Sequence, residues 1–309
     1  MIDNNLKEPN LKINIAGVEF KNPIITASGC YGFGKEYNEL YDINLLGGIS
    51  TKGLTLEPRQ GNVGVRVAET NMGMLNCVGL QNPGAEGFIK DEMPFLEKLN
   101  TVIIANCAGK TEEDYVALLE KIETTKVDMI ELNISCPNVK TGMAFGVLPS
   151  EVERMTRLAK KATKKPLMIK LTPNVANIID NAKAAEQGGA DAISLVNTLL
   201  GLSIDLKTRR PILGNNFGGL SGPAIKPVAL RMVAQCFKAV KIPIVGMGGI
   251  QSTQDVLEFM IAGARAVQIG TANFYDPFIC KTIANELTTY LKNSKIEDIN
   301  EIVGTLVYN

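Results

Sequence analysis

PLMIKLTPNVANIIDNAKAAEQGGADAISLVNT, residues 166–198, contains the pattern that decides the fold of this chain. A short apolar run at 166–173 is followed by a segment with helical spacing, a glycine pair and a second apolar run at 192–198. This order is typical of a βαβ unit, in which a helix connects two parallel strands. The glycine pair, Gly188 and Gly189, lies where that helix is expected to end. The stretch therefore predicts two neighbouring strands of a parallel sheet.

Apolar runs of the same kind recur along the chain, eight in all. Their continuous Ile, Val and Leu content fits strands that are buried on both faces, and the segments between them have the apolar spacing of amphipathic helices. We predict a (β/α)8 TIM barrel formed by a single domain, residues 1–309, because such barrels commonly exceed ~250 residues. The helix after the fourth run is expected to begin near Ser150, which forms a capping-box pattern with Glu153. The predicted strands lie within residues 22–29, 47–53, 102–109, 129–136, 166–173, 192–198, 243–250 and 266–272.

Two connections are too long for simple loops between a strand and a helix. Residues 54–84 follow the second strand, and residues 199–222 follow the sixth. Loops of this length inside a compact fold are usually functional. Both would leave the barrel at its C-terminal face, where active sites of this architecture lie. We predict that they cover a bound ligand.

Composition and charge restrict the possible partners. The chain has 45% hydrophobic and 21% charged residues and a formal net charge of zero, as expected of a soluble globular protein. A neutral chain gives no electrostatic reason to bind nucleic acid or an anionic membrane. No apolar stretch approaches the ~18 residues of a membrane span, and the N-terminus lacks the pattern of a secretory signal. We expect a cytoplasmic protein that binds small polar ligands.

Histidine is absent from the chain, which excludes Ser-His-Asp and Cys-His catalytic arrangements and removes the commonest metal ligand. Acid–base chemistry must therefore use cysteine, lysine, tyrosine or a carboxylate. The cysteines are widely spaced without a C-x-x-C pair, so neither a zinc site nor an iron–sulfur cluster is predicted, and no metal is expected in this chain. Reduced thiols are expected at Cys30, Cys77, Cys107, Cys136, Cys236 and Cys280.

Polar residues at the ends of the predicted strands form the candidate site. The C-terminal strand ends of a barrel converge on one pocket, and a buried strand end has little structural use for lysine. Any one of these residues could equally cap a neighbouring helix, but the recurrence of lysine and asparagine at equivalent positions favours a binding site. The candidates are Ser28, Thr51, Lys52, Asn106, Asn133, Cys136, Lys170, Asn197 and Thr198.

Glycine-rich segments follow the seventh and eighth strands. Residues 246–250 read GMGGI, and residues 269–272 read IGTA. TIM barrels commonly bind a phosphate at these two positions through backbone N–H groups, and glycine lets the backbone approach closely. We predict a phosphate site here. A dinucleotide-binding fold for NAD is not indicated, because no G-x-G-x-x-G follows a strand.

Cys136 is the candidate base. It lies between Ser135 and Pro137 just after the fourth strand, where proline ends regular pairing. A lone cysteine is most often a buried structural thiol. A thiol of pKa ~8.5 can nevertheless accept a proton where cations favour the thiolate, and Lys52 and Lys170 could supply such a field. No histidine competes for the role.

The chain resembles the dihydroorotate dehydrogenases, in particular their NAD-linked class 1B catalytic subunits. The resemblance extends from ASG at 27–29 to GT at 270–271 and implies a TIM barrel that oxidises dihydroorotate to orotate in de novo pyrimidine biosynthesis. Cys136 would remove the C5 proton and FMN would accept the C6 hydride. The motifs that carry it are STKG (50–53), LNCVGLQNPG (75–84), ELNISCPNVK (131–140) and GGLSGPAIKPVALR (218–231).

The resemblance also implies the residues that bind each ligand. FMN would be held by Ser28, Thr51, Lys52, Asn106, Asn133, Lys170, Val196, Gly222, Gly248, Gly249, Gly270 and Thr271. The last four would cradle its phosphate. Dihydroorotate would contact Lys52, Asn76, Cys77, Val78, Gly79, Leu80, Asn133, Asn138, Asn197 and Thr198. Amides and a hydroxyl suit a pyrimidine dione and its carboxylate.

An electron-transfer partner follows from the same resemblance. Class 1B enzymes pass electrons to NAD through a second subunit that carries FAD and a 2Fe-2S cluster, which fits the lack of a cluster motif here. The implied assembly is a homodimer joined by such subunits into a heterotetramer, without nucleic acid or membrane. The position of Cys136 carries serine in the quinone-linked class, so quinone is not the expected acceptor.

Several alternatives remain open at this stage. One is a fumarate-linked class 1A-like enzyme, and another is a related FMN barrel that acts on uracil or tRNA dihydrouridine, although the zero net charge disfavours tRNA. A lyase with Lys170 as a Schiff base and a barrel that keeps flavin as a structural or sensing ligand are also possible. The chain departs from the family in two places. The loop at Thr141-Gly142-Met143 is one residue shorter, which affects a lid beside the base, and Cys77 stands where a smaller residue is expected.

Overall fold

The computed structural model describes residues 8–135 and 145–309. Its centre is a closed barrel of eight parallel strands, each paired with the next in chain order, and the last strand pairs with the first. The predicted TIM barrel is confirmed, since each predicted apolar run contains one strand. The barrel strands are β1 (Ile24–Thr26), β2 (Gly48–Ser50), β3 (Val102–Cys107), β4 (Met129–Asn133), β5 (Leu167–Lys170), β6 (Ala192–Leu195), β7 (Ile244–Met247) and β8 (Ala266–Ile269).

Burial explains why the barrel strands have continuous apolar sequences. Every residue of these strands is buried except Asn133, which is half-buried at the end of β4. Helices cover the outer face and side chains fill the inside, so neither face of a strand meets water. A polar residue inside such a strand therefore needs a hydrogen-bonding partner. The buried polar residues of the barrel strands are Thr26, Ser50, Asn106, Glu131, Lys170, Ser194 and Gln268.

Helices follow the strands around the barrel. Glu112–Glu123 shows the predicted amphipathic pattern, because Tyr115, Leu118, Leu119 and Ile122 are buried. Ile178–Gln187 ends at Gly188 as predicted. The expected capping box is wrong: the helix begins at Pro149, and no side chain caps it. Proline at the first position needs no hydrogen-bond partner for its nitrogen. The other helical segments are Lys35–Asn38, Ile43–Leu45, Gly84–Gly87, Phe88–Glu92, Met93–Leu96, Pro149–Ala162, Pro223–Ile225, Lys226–Phe237, Thr253–Ile261, Ala272–Tyr275, Ile279–Ser294 and Ile299–Ile302.

The two long connections form a second sheet at the C-terminal ends of the barrel strands. It is antiparallel, in the order Leu199–Gly201, Gly218–Ser221, Gly73–Asn76, Val67–Thr70. A hairpin of Ile204–Asp205 and Arg210–Pro211 extends from the second connection. We call this sheet and its hairpin the cover. The prediction that both connections lie over the site is confirmed. The sequence analysis did not predict that they contain strands.

A further hairpin, Ile13–Ile15 and Val18–Phe20, precedes the barrel. Phe20 is fully buried and packs beside Gly48, the first residue of β2. In the part of the chain that the structure describes, no helix combines the length and the apolar character needed to cross a membrane.

Candidate active site

A cavity of about 360 Å³ lies between the strand ends and the cover. The structure brings nearly all predicted site residues to its wall, which is lined by Ser28, Lys52, Asn76, Cys77, Val78, Gly79, Leu80, Asn106, Asn133, Lys170, Val196, Asn197, Thr198, Gly222, Gly248, Gly249, Gly270 and Thr271. They converge because parallel strands place all their C-terminal ends at one face of the barrel.

Thr51 is the predicted residue that the described wall does not include. Its buried hydroxyl donates to the carbonyl oxygen of Lys52 and accepts from the backbone nitrogen of Asn106, both at 3.2 Å. Thr51 therefore supports the wall from behind. Three further predictions, at Cys136, Asn138 and the loop Thr141-Gly142-Met143, lie outside the described residues.

Glu131 is a buried carboxylate behind the wall, and the sequence analysis missed it. It is 0% exposed. Four side chains donate hydrogen bonds to it: Ser194 (2.7 Å) and Gln268 (2.8 Å) to Oε1, and Asn106 (2.6 Å) and Ser50 (3.1 Å) to Oε2. Lys170 Nζ lies 3.8 Å from Oε2. Burial alone would raise the pKa of Glu131, but Lys170 and these hydrogen bonds hold that pKa below its usual value.

Two amide oxygens beside the cavity lack partners among the described residues. They are Asn106 Oδ1 and Gln268 Oε1, and both residues line the cavity at only 1% exposure. A buried acceptor without a partner destabilises a protein by ~1–3 kcal/mol. A ligand with N–H or O–H groups would satisfy both oxygens.

Lys52, Lys170 and Cys30 share one electrostatic environment in the wall. Burial lowers the pKa of Lys52, and Cys30 opposes this effect. Burial raises the pKa of Cys30, while both lysines counteract it. Cys30 was expected only as a reduced thiol, and the structure places it in the cavity wall as a free cysteine. Two cations and a neutral thiol suit a ligand that carries or develops negative charge.

Amides and hydroxyls line the wall at the ends of β4 and β6. Asn197 Nδ2 donates to Ser135 Oγ at 3.1 Å and lies 3.4 Å from Asn133 Oδ1. The hydroxyl of Tyr115 donates to the carbonyl oxygen of Asn133 at 2.8 Å. Thr198 N donates to Asn197 Oδ1 at 2.9 Å. These contacts orient amides that can both donate to and accept from a planar polar ligand.

Glycines form a concave corner of the wall. Gly222 and Gly249 have φ angles of +102° and +75°. A Cβ at Gly249 would lie 2.8 Å from the carbonyl oxygen of Gly222, so no larger residue fits without a shift. Thr271 Oγ1 donates to Ser221 Oγ at 2.7 Å beside this corner. An exposed backbone with a hydroxyl is the kind of surface that binds a phosphate.

Comparisons with known proteins agree on one family. The family model described as dihydroorotate dehydrogenase matches residues 10–291. A protein of Alkaliphilus oremlandii is 54% identical over 298 residues, 96% of this chain and 99% of its own length. Proteins of Thermoanaerobacter pseudethanolicus and Bacillus pumilus are each 53% identical, over 96% and 95% of this chain and 99% and 96% of their own lengths. All three are named dihydroorotate dehydrogenase B (NAD(+)), catalytic subunit.

Proposed function

The chain belongs to the dihydroorotate dehydrogenase family, and we propose that it oxidises dihydroorotate to orotate in pyrimidine biosynthesis as an NAD-linked catalytic subunit. The observation that carries the proposal is the cavity at the C-terminal face, where Lys52, Lys170, several amides and a glycine corner meet. The relatives' names favour NAD over fumarate as the final acceptor.

FMN fits the described residues of the cavity. The glycine corner suits its phosphate, and the unpaired oxygens of Asn106 and Gln268 suit its ring N–H or its ribityl hydroxyls. Lysine beside the ring would favour the anionic reduced form. When bound, FMN supplies the acceptor for the substrate hydride. The residues proposed to hold it are Ser28, Lys52, Asn106, Asn133, Lys170, Val196, Gly222, Gly248, Gly249, Gly270 and Thr271, with Thr51 behind them.

Dihydroorotate is an anion with a pyrimidine dione ring, so its site needs a cation and oriented amides. Lys52 can pair with the carboxylate, and Asn133, Asn197 and Thr198 can bind the polar ring edges. Residues 76–80 reach the cavity from the cover and would close over the ring. Asn138 is proposed as a further contact on sequence grounds alone.

Cys136 is proposed to take the C5 proton onto its Sγ. The proposal rests on the ELNISCPNVK motif and on the absence of histidine. The residues that directly precede Cys136 support it, because Asn133 lines the cavity and Ser135 is hydrogen-bonded to Asn197. The chain therefore approaches position 136 along the cavity wall, which suits a base that must reach the substrate.

A second subunit is proposed to carry electrons onward. The relatives are named as catalytic subunits, which suits an enzyme that works with another chain. We propose that this partner holds FAD and a 2Fe-2S cluster and reduces NAD, and that two copies of the present chain and two partners form a heterotetramer.

Anaerobic absorption spectroscopy tests the function. The purified, FMN-loaded protein is expected to lose its flavin absorption when dihydroorotate is added. Cys136→Ala should slow this bleaching by ~10²-fold or more, the range of a general base, while Cys236→Ala, a buried thiol on a helix outside the cavity, should leave the rate unchanged. A chain that binds no flavin, or Cys136→Ala protein that bleaches at the wild-type rate, would contradict the proposal or its base.

A further inference from the structure

We infer that Glu131 is a positioning residue that decides which end of two amides faces the cavity. It binds the amide nitrogens of Asn106 and Gln268, so that their amide oxygens are presented to the bound ligand beside the ammonium group of Lys170. The inference rests on the proposed function, because the ligand is taken to be a flavin.

The first step is that a carboxylate fixes the direction of every hydrogen bond it makes. An ionised carboxylate only accepts hydrogen bonds, whereas an amide has a donating and an accepting end. The amide nitrogens of Asn106 and Gln268 must therefore face Glu131, as the distances of 2.6 and 2.8 Å show. Their oxygens consequently point away from it. A neutral group at position 131 would allow either amide to turn over.

The second step is what those oxygens face. Asn106 Oδ1 and Gln268 Oε1 have no partner among the described residues, and both side chains belong to the cavity wall. A matching ligand must offer a hydrogen-bond donor to each of the two acceptors. The oxidised flavin ring has one N–H group, flanked by two carbonyl groups, and the ribityl chain has hydroxyls. The ring N–H and the ribityl hydroxyls can each donate a hydrogen bond to an amide oxygen.

The third step concerns charge. Glu131 Oε2 lies 3.8 Å from Lys170 Nζ, and Lys170 is only 6% exposed. Among residues 8–135 and 145–309, Glu131 also influences the Cys107 thiol on β3, whose pKa is raised by burial and by Glu131, so this thiol is neutral. The carboxylate therefore compensates part of the lysine's field at the cavity. Removal of this negative charge would strengthen the field and favour an anionic reduced flavin.

A purely structural role is a poor explanation of this cluster. Buried ion pairs are often no more stabilising than apolar side chains of similar volume. Stability alone therefore does not require a carboxylate that is surrounded by two serines, two amides and a lysine inside the barrel. Control over the direction of two amides and over the charge of one lysine accounts for the arrangement.

Glu131→Gln tests the inference through flavin binding and flavin potential. The expected results are an FMN dissociation constant raised at least ~10-fold, the loss typical when an orienting outer contact is removed, and a midpoint potential shifted to a more positive value. Fluorescence titration of the apoprotein and a spectroelectrochemical titration give these quantities without dihydroorotate. A structural role alone predicts a lower melting temperature with unchanged binding and potential.

Two control variants separate positioning from packing. Ser194→Ala removes one donor to Glu131 but keeps the charge and both amides, so the potential should stay near that of the wild type. Ile193→Val shortens the fully buried side chain that precedes Ser194 on β6, and it should lower the free energy of unfolding without changing the flavin potential. A shift of potential in either control equal to that in Glu131→Gln would overturn the inference.

Flavin analogues keep the test decisive if Glu131→Gln does not fold. The wild-type protein is titrated with FMN, with FMN methylated at the ring N–H, and with FMN lacking ribityl hydroxyls. Weaker binding of the first analogue assigns one of the two oxygens to the ring N–H, and weaker binding of the second assigns at least one of them to the ribityl hydroxyls. Equal binding of all three would overturn the inference. A wild-type protein that binds no flavin would instead refute the proposed function.

Discussion

Lys52 follows β2, and its half-buried side chain lies in the cavity wall. Burial lowers the pKa of Lys52, with Cys30 opposing, so the ammonium group loses its proton at a lower pH than an ordinary lysine with a pKa of ~10.4. The charge is present at low pH and disappears as the pH rises through the lowered pKa. We expect the affinity for orotate to fall over the same range.

Orotate titrations of the flavin-loaded protein, followed by the flavin difference spectrum from about pH 7 to about pH 10, measure this effect. Lys52→Arg keeps its charge over the whole range and should give a flat profile. Lys12→Arg, a change to an exposed lysine paired with Glu19, should behave like the wild type. An orotate affinity that is constant for the wild type would contradict the role of Lys52.

Single residues show what the sequence could and could not predict. Lys170 and Asn106 were placed correctly because strand ends of a barrel share one face. Thr51 was assigned to the cavity together with Lys52, but adjacent residues of an extended chain point in opposite directions, and only Lys52 reaches the wall. Glu131 and Gln268 were not predicted, because each lies inside a buried strand and not at its C-terminal end. A polar residue inside a buried run was the available signal.

The glycine corner makes a prediction at the level of a structural element. Gly249→Ala would place a Cβ 2.8 Å from Gly222 O and from Lys226 Cβ. The positive φ adds a strain of ~1–2 kcal/mol. We expect at least ~10-fold weaker FMN binding, measured by fluorescence titration. Gly17→Ala is the matched control, because Gly17 has a φ of +88° with nothing within 4 Å of its Cβ position. Equal losses of FMN affinity in both variants would exclude a specific role for the corner.

Asp255 joins two helices of the barrel. Its carboxylate accepts from Lys226 Nζ at 2.5 Å and from Gln251 N at 2.9 Å. Burial would raise its pKa, but these contacts hold it below the usual value. A lowered carboxyl pKa contributes stability that is present above the unfolded-state pKa and is lost as the pH falls through the folded-state pKa.

Asp255→Asn should therefore reduce the free energy of unfolding at neutral pH by ~1.5–3 kcal/mol, the contribution of a hydrogen bond to a charged group. Urea unfolding at about pH 7 and about pH 2 should show the difference shrinking in acid. Asp180→Asn, in the first turn of another helix but exposed and bonded to Asn177, should have a smaller effect. A deficit for Asp255→Asn that is unchanged in acid would contradict the role of its charge.

The elements differ in how far the sequence predicted them. All eight barrel strands were predicted, because continuous burial leaves a strong apolar signal. The strands of the cover were not, since glycine, asparagine and proline in those connections favour turns. Gly73 and Gly218 show why glycine occurs there: a Cβ at either position would lie within 3 Å of another strand's backbone. The close approach of two strands is determined by tertiary packing, and it leaves little pattern in the local sequence from which the strands could be predicted.

At the scale of the whole molecule, the family that the motifs predicted is confirmed by a match over residues 10–291. The motifs succeeded because they combine residues from distant strands that meet only in the folded barrel. The base at Cys136, the contact at Asn138 and the shortened loop stay predictions. The assembly also stays a proposal, and the surface of the cover offers a way to test it.

The cover exposes a group of apolar side chains to solvent. Leu206 is 89% exposed and Leu200 is 69% exposed, and further members are Leu202, Ile204 and Phe217. Clustered exposed apolar residues usually mark an interface, and a symmetric dimer is the commonest soluble assembly. We expect the chain to dimerise through the cover. Leu206→Asp would place a charge in that interface and should weaken dimerisation at least ~10-fold, the effect of about 1.4 kcal/mol.

Light scattering over a range of protein concentrations measures the mass of the wild type and the variant. Leu40→Asp is the matched control, because Leu40 is also exposed, at 50%, but follows the short helix after β1 and lies outside the cover. It should dimerise like the wild type. Equal dissociation of both variants would show that added charge, and not its place on the cover, is responsible. A wild-type chain that is monomeric at every concentration would refute self-association and leave the cover for the electron-transfer partner.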